Sequence, residues 1–161
     1  MAIPFDLIFE PKKYNSGAVG RVICNELDPV LHPSGEIRVL FESEAARSED
    51  GTFLVESFQI QSLISYLMNQ TSVRQTVETE LSEARENWLR GWEVPAGGVW
   101  SDSKFNLLWL PCRKHNQFDG GGPETASMYI LVFAVQWDDE HVQRTLKFRD
   151  DRFVSLGVDG D

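Results

Sequence analysis

Between residues 57 and 90 the apolar side chains recur with a helical period, and on either side of that stretch they alternate. Val73, Val77, Leu81, Ala84 and Trp88 step by four, four, three and four, which aligns them along one face of an α-helix. Phe58, Ile60, Leu63, Ile64, Leu67 and Met68 form an earlier stripe of the same kind. Asn69 to Ser72 reads as the break between them. Ser72-Val73-Arg74-Gln75 fits a capping box, in which the serine accepts from a free amide and the glutamine reaches back. Gly91 after Arg90 supplies a stop, with a cation near the negative helix end. The spacing predicts a helical hairpin over about residues 57–90. Glu78, Glu80, Glu83 and Glu86 lie off its apolar stripe, partly offset by Arg85 and Arg90, and read as a solvated face.

The flanks have strand character. Ile3, Phe5, Leu7 and Phe9 alternate with Pro4, Asp6 and Ile8, and Pro11 with Tyr14-Asn15-Ser16-Gly17 marks a turn. Val19–Cys24 and Glu36–Glu42 read as the next strands, separated by Asp28-Pro29 and His32-Pro33-Ser34-Gly35. Ser48-Glu49-Asp50-Gly51 is a polar turn, and Thr52–Val55 fits a short strand or the approach to the helix. After the helices, Phe105–Leu110 is an apolar run closed by Pro111. Met128–Trp137 is hydrophobic enough to be a strand buried on both faces. Arg144–Arg149 and Arg152–Leu156 are joined by Asp150-Asp151, a two-residue link that implies a hairpin. Strands, two helices, then strands is the order of an α+β fold: an antiparallel sheet with the helical hairpin packed on one face. With 161 residues and no linker or repeat, a single domain over 1–161 is expected.

Composition narrows the partners. The formal charge of −10 opposes binding to nucleic acid or anionic lipid, which depends on Lys and Arg meeting phosphate. It suits solubility and permits a basic protein partner. No run approaches the roughly 20 apolar residues of a membrane helix. The opening Met1-Ala2-Ile3-Pro4-Phe5-Asp6 lacks the basic start of a signal peptide, so a cytoplasmic location is expected and Asn69-Gln70-Thr71 is not read as a glycosylation site. Cys24 and Cys112 have no metal-ligand spacing and fit buried free thiols, although a disulfide between them stays open.

No motif names a reaction. Gly120-Gly121-Gly122-Pro123 lacks the Lys-Ser/Thr of a P-loop, and neither G-x-S-x-G nor H-E-x-x-H occurs. No catalytic or cofactor-binding residue is assigned, and no cofactor is expected. The densest polar group is Trp137-Asp138-Asp139-Glu140-His141. Asp138, Glu140 and His141 are the candidate metal ligands, with His115 or Asp119 needed to complete a set. Neighbours along a strand point to opposite faces, so a polar corner is the plainer reading. Cys112-Arg113-Lys114-His115 pairs a thiol with a base but reads as a surface loop, and His32 has no evident companion. Trp88, Trp92, Trp100 and Trp109 gather around the helix exit. Trp92 and Trp100 on that loop, with the acids Glu80 and Glu83 nearby, are the candidate protein-binding residues, because tryptophan is enriched at interface hot spots.

Trp137-Asp138-Asp139-Glu140-His141, Leu146-Lys147-Phe148 and Phe153-Val154-Ser155-Leu156-Gly157 together resemble a family of small bacterial domains of unknown function, in which a Trp-Asp-x-Glu-His phrase leads into a closing hairpin. Ile60–Leu67 is similar to that family's first helix. The resemblance implies an immunity protein for a polymorphic toxin. The leading expectation is therefore a non-enzymatic protein-binding domain that occludes a basic toxin by shape and charge. The alternatives are a small metal-assisted enzyme using Asp138–His141, or an interaction subunit of a larger assembly.

Overall fold

The computed structural model describes residues 3–14, 17–43, 55–112 and 127–158. They form a mixed α+β fold: one seven-stranded sheet and two α-helices. The strands are β1 (Asp6–Tyr14), β2 (Gly17–Ile23), β3 (Glu36–Glu42), β4 (Ser103–Leu110), β5 (Met128–Val135), β6 (Gln143–Arg149) and β7 (Arg152–Val158). The helices α1 (Ser57–Met68) and α2 (Gln70–Trp88) lie between β3 and β4. The strands stand in the sheet in chain order.

The sheet departs from the expected all-antiparallel pattern at one pair. β3 and β4 run parallel, while the other five pairs are antiparallel. The cause is the crossover: the helical segment returns the chain to the same end of the sheet, which a tight turn cannot do. This parallel pairing covers only Val39–Phe41 against Leu108–Leu110. Toward their N-termini the two strands part, and β4 carries an irregularity against β5 between Phe105 and Leu107. An extra residue of this kind bends and twists a strand.

β1 runs through Pro11, where a turn was expected. It is an edge strand with a register shift between Phe9 and Lys13, a position where a missing ladder donor is tolerated. The centre of the β1–β2 turn, residues 15–16, lies outside the described residues. So do the expected turn at 48–51, most of Thr52–Val55 and the glycine-rich loop. Gly17 follows the turn, and a Cβ built on it would lie 2.0 Å from the Phe41 carbonyl oxygen. At the far edge Asp150 and Asp151 both have positive φ, 49° and 63°, as the two central residues of a type I′ hairpin turn do. The Asp151 carboxylate accepts from Ser65 Oγ and from the Tyr129 hydroxyl, each at 2.8 Å, so the turn is fastened to α1.

The helices meet at Asn69 alone, and the expected capping box at Ser72–Gln75 is not the start of α2. Ser72 already sits in its first turn, and its carbonyl accepts from Thr76. The capping box occurs one helix earlier: Glu56 and Gln59 exchange hydrogen bonds at the start of α1. Gln59 also donates from Nε2 to the carbonyls of Glu42 and Leu110, tying α1 to the ends of β3 and β4. The Gln70 side chain accepts from the Asp28 amide and donates to the Glu26 carbonyl. These two bonds hold the β2–β3 loop against the helix junction.

Leu63, Tyr66 and Leu67 of α1 share one buried cluster with Val73, Val77 and Leu81 of α2. Ile37, Val39, Phe41, Leu108, Tyr129, Leu131 and Phe133 complete its centre from the sheet. The other alternate residues of β5, Met128, Ile130 and Val132, are buried with Leu107 and Trp109 in a second cluster. β5 is therefore covered on both faces, as its composition predicted. Cys24 and Cys112 are both buried and are not joined in a disulfide. Among the described residues no helix is long and apolar enough to cross a membrane.

Candidate functional site

The corner after β5 is built around Asp138, whose side chain is fully buried. Its Oδ1 accepts from the amides of Glu140 and His141 at 2.8 and 2.9 Å, and its Oδ2 accepts from Arg144 Nη2. The Arg144 guanidinium lies 4.7 Å from the centre of the Trp137 ring, and the Trp137 indole donates to Ser103 Oγ at 2.8 Å. Burial alone would raise the Asp138 carboxyl. The hydrogen bonds from Arg144, His141 and Glu140 outweigh it and hold the group below the ordinary aspartate range.

Both Asp138 oxygens are thus committed to the corner. His141 Nδ1 stands 3.5 Å from Oδ2, while Asp139 and Glu140 point to solvent. Among the described residues no group of three His, Cys, Asp or Glu side chains is placed to hold a metal ion. His115 and Asp119, the expected helpers, lie outside the described residues, as does the Arg113–His115 part of the thiol–base pair.

The four tryptophans of the helix exit separate. Trp109 joins the second cluster, and Trp100 is half-buried with its ring 6.1 Å from Phe133. Trp88 sits at the edge of the apolar stripe, 37 % exposed. Trp92 is 77 % exposed, beside Val94 at 47 %. The Trp88 ring meets His141 edge-on at 6.1 Å, which brings the helix exit to the Asp138 corner and its exposed Val142. The exposed carboxylates of the segments that meet here, the end of α2, the loop after it and the Asp138 corner, are Glu83, Glu86, Glu93, Asp139 and Glu140, and Arg90 is an exposed cation of the same segments. Glu80 is half-buried.

Arg85, expected on the solvated face, is instead 5 % exposed. It pairs with Asp102 Oδ2 through Nε and Nη2 at 2.9 and 2.8 Å, and Nη2 also donates to the Pro95 carbonyl at 2.9 Å. One buried guanidinium therefore fixes the loop that carries Trp92. Asp102 gives no periodic signal, and its partner lies 17 residues away. The signal in the sequence is that Arg85 falls four residues after Leu81, in step with Val73 and Val77 on the buried stripe.

His32 does have companions. Its Nε2 bonds the Tyr66 hydroxyl, and its ring packs edge-on to Phe105 at 4.5 Å. Burial, only partly opposed by the Asp28 charge, lowers its pKa to about 4, so the ring is neutral. Compared with known proteins, the chain matches no family model, no curated protein and no solved structure.

Proposed function

We propose that this chain is a non-enzymatic protein-binding domain that captures a basic partner, in the manner of an immunity protein occluding a toxin. The observation that carries the reading is Trp92, 77 % exposed on a loop held by a buried ion pair. A large aromatic presented this way resembles an interface anchor, because the loop backbone that carries it is already held and loses little freedom on binding. Val94, Val142 and the edge of Trp88 extend the apolar centre. The carboxylates around it form an acidic rim, which would speed encounter with a cationic surface. In this reading α1 and α2 act as one hairpin-like cover on a single sheet face, leaving the end of α2 to present the loop.

The immunity reading expects the adjacent gene to encode a large secreted toxin whose product co-elutes with this protein. Growth rescue on co-expression is the test. Trp92→Ala should weaken the complex by at least about 2 kcal/mol, roughly 30-fold, without changing stability. Association should also slow as salt rises. Failure to protect cells against the neighbouring product would overturn the immunity reading, and full affinity in Trp92→Ala would remove the anchor.

A further inference from the structure

A cleft of about 620 Å³ opens where β3 and β4 part company, roofed by the loop that carries His32. Its volume falls within the range of about 300–1,000 Å³ usual for small-molecule sites. Trp100 and Phe105 supply an apolar surface, and Ala134 lies on the open side. Two buried polar atoms of its lining residues, His32 Nδ1 and Asp102 Oδ1, have no hydrogen-bond partner. Buried polar groups are rarely left unpaired, because desolvation is then uncompensated.

The chemistry of the two atoms is complementary. Tyr66 has no other acceptor among the described residues, so its hydroxyl donates to His32 Nε2. Burial, reinforced by the Asp28 charge, raises the Tyr66 phenol well above its ordinary range and keeps it protonated. The ring proton of neutral His32 then belongs on Nδ1, a donor. Asp102 Oδ1 is an acceptor, and Arg85 on Oδ2 already balances its charge. The other charged lining residues, Glu36, Arg38 and Lys104, are at least partly solvent-exposed. At the buried Asp102 Oδ1 itself, a charged ligand would upset the balance and a neutral one would not.

We propose that this cleft binds a small, uncharged, planar molecule with an amide-type group, its carbonyl accepting from His32 Nδ1 and its N–H donating to Asp102 Oδ1. The apolar body lies against Trp100 and Phe105. Both polar atoms are buried, so the ligand's amide group reaches them only with a shift of the His32 loop. The site shares Asp102 with the mounting of the Trp92 loop, but small-molecule binding here is read out separately from partner capture.

The test is titration of the full chain with nicotinamide, benzamide and uracil, followed by amide and indole N–H resonances in two-dimensional NMR. Saturable shifts are expected at the Trp100 indole and around His32 and Asp102, with dissociation constants in about the millimolar range for molecules this small. Toluene and benzoate should bind at least about tenfold more weakly, since each lacks the amide donor. Ala134→Trp fills the open side from an exposed position and should abolish the shifts while the fold persists. His32→Phe should weaken binding by about tenfold or more. Absence of saturable shifts with all three amides overturns the proposal. So does equal binding of toluene, or binding that survives Ala134→Trp.

Discussion

Replacing Asp138 by alanine removes the acceptor for three donors at once. Arg144, whose side chain is 6 % exposed, loses its counter-charge, and the Glu140 and His141 amides lose their Oδ1 partner. Breaking a buried pair from one side costs about 3–5 kcal/mol, since the remaining ion stays desolvated. The corner adjoins the exposed Asp139 and Glu140, so water can reach part of it, and the lower end, about 3 kcal/mol, is expected. Urea unfolding at neutral pH measures this as a lowered midpoint at unchanged slope. The double variant Asp138→Ala/Arg144→Met should recover part of the loss, because no unpaired charge then remains. The sign with pH follows from the depressed carboxyl. Its contribution is complete above the unfolded aspartate value, about 3.9, and disappears as pH falls through the lower folded value. A single variant within about 1 kcal/mol of the parent would refute the argument that this pair holds the corner.

Gly17→Ala should destabilise by at least about 2 kcal/mol in the same assay, because the new methyl collides with the Phe41 backbone carbonyl and not with a side chain that can turn away. His32 adds a second pH dependence. Its folded value of about 4 lies below the unfolded 6.5, so stability is full above pH 6.5 and falls as pH drops toward 4, by about 3 kcal/mol in all. His32→Phe should flatten that segment of the curve; a His32 ring resonance titrating near 6.5 in the folded protein would contradict it.

Much of the fold was legible because its elements are strongly periodic. β3 occupies Glu36–Glu42, as the alternation of Ile37, Val39 and Phe41 indicates, and the Asp150–Asp151 hairpin forms at its two-residue link. Of the helical span expected over about 57–90, α1 covers Ser57–Met68 and α2 covers Gln70–Trp88. What local pattern could not convey was long-range pairing. The parallel β3–β4 contact depends on where the crossover returns the chain. Pro11 stays in a strand because β1 is an edge. Ser72-x-x-Gln75 and Glu56-x-x-Gln59 both place a capping residue three before a glutamine, and it is Gln59 that also meets the carbonyls at the ends of β3 and β4. The polar sites show the same division. The adjacency of Asp138 to His141 was visible as a cluster, yet Arg144 determines what it does. Arg85–Asp102 and His32–Tyr66 join distant segments, so local pattern does not reveal either pairing.

Arg85 has a further consequence for the loop it holds. Residues 91–98 are all exposed, while their attachment to the body is a guanidinium on α2 that grips Asp102 on one side and the Pro95 carbonyl on the other. The tip and its mounting are thus separate parts. Side chains at positions 92–94 can be exchanged without disturbing the socket that orients them. If the proposed protein-binding function holds, a lineage of such proteins could track a changing partner by rewriting a few solvent-facing letters, with Arg85 and Asp102 as the fixed frame.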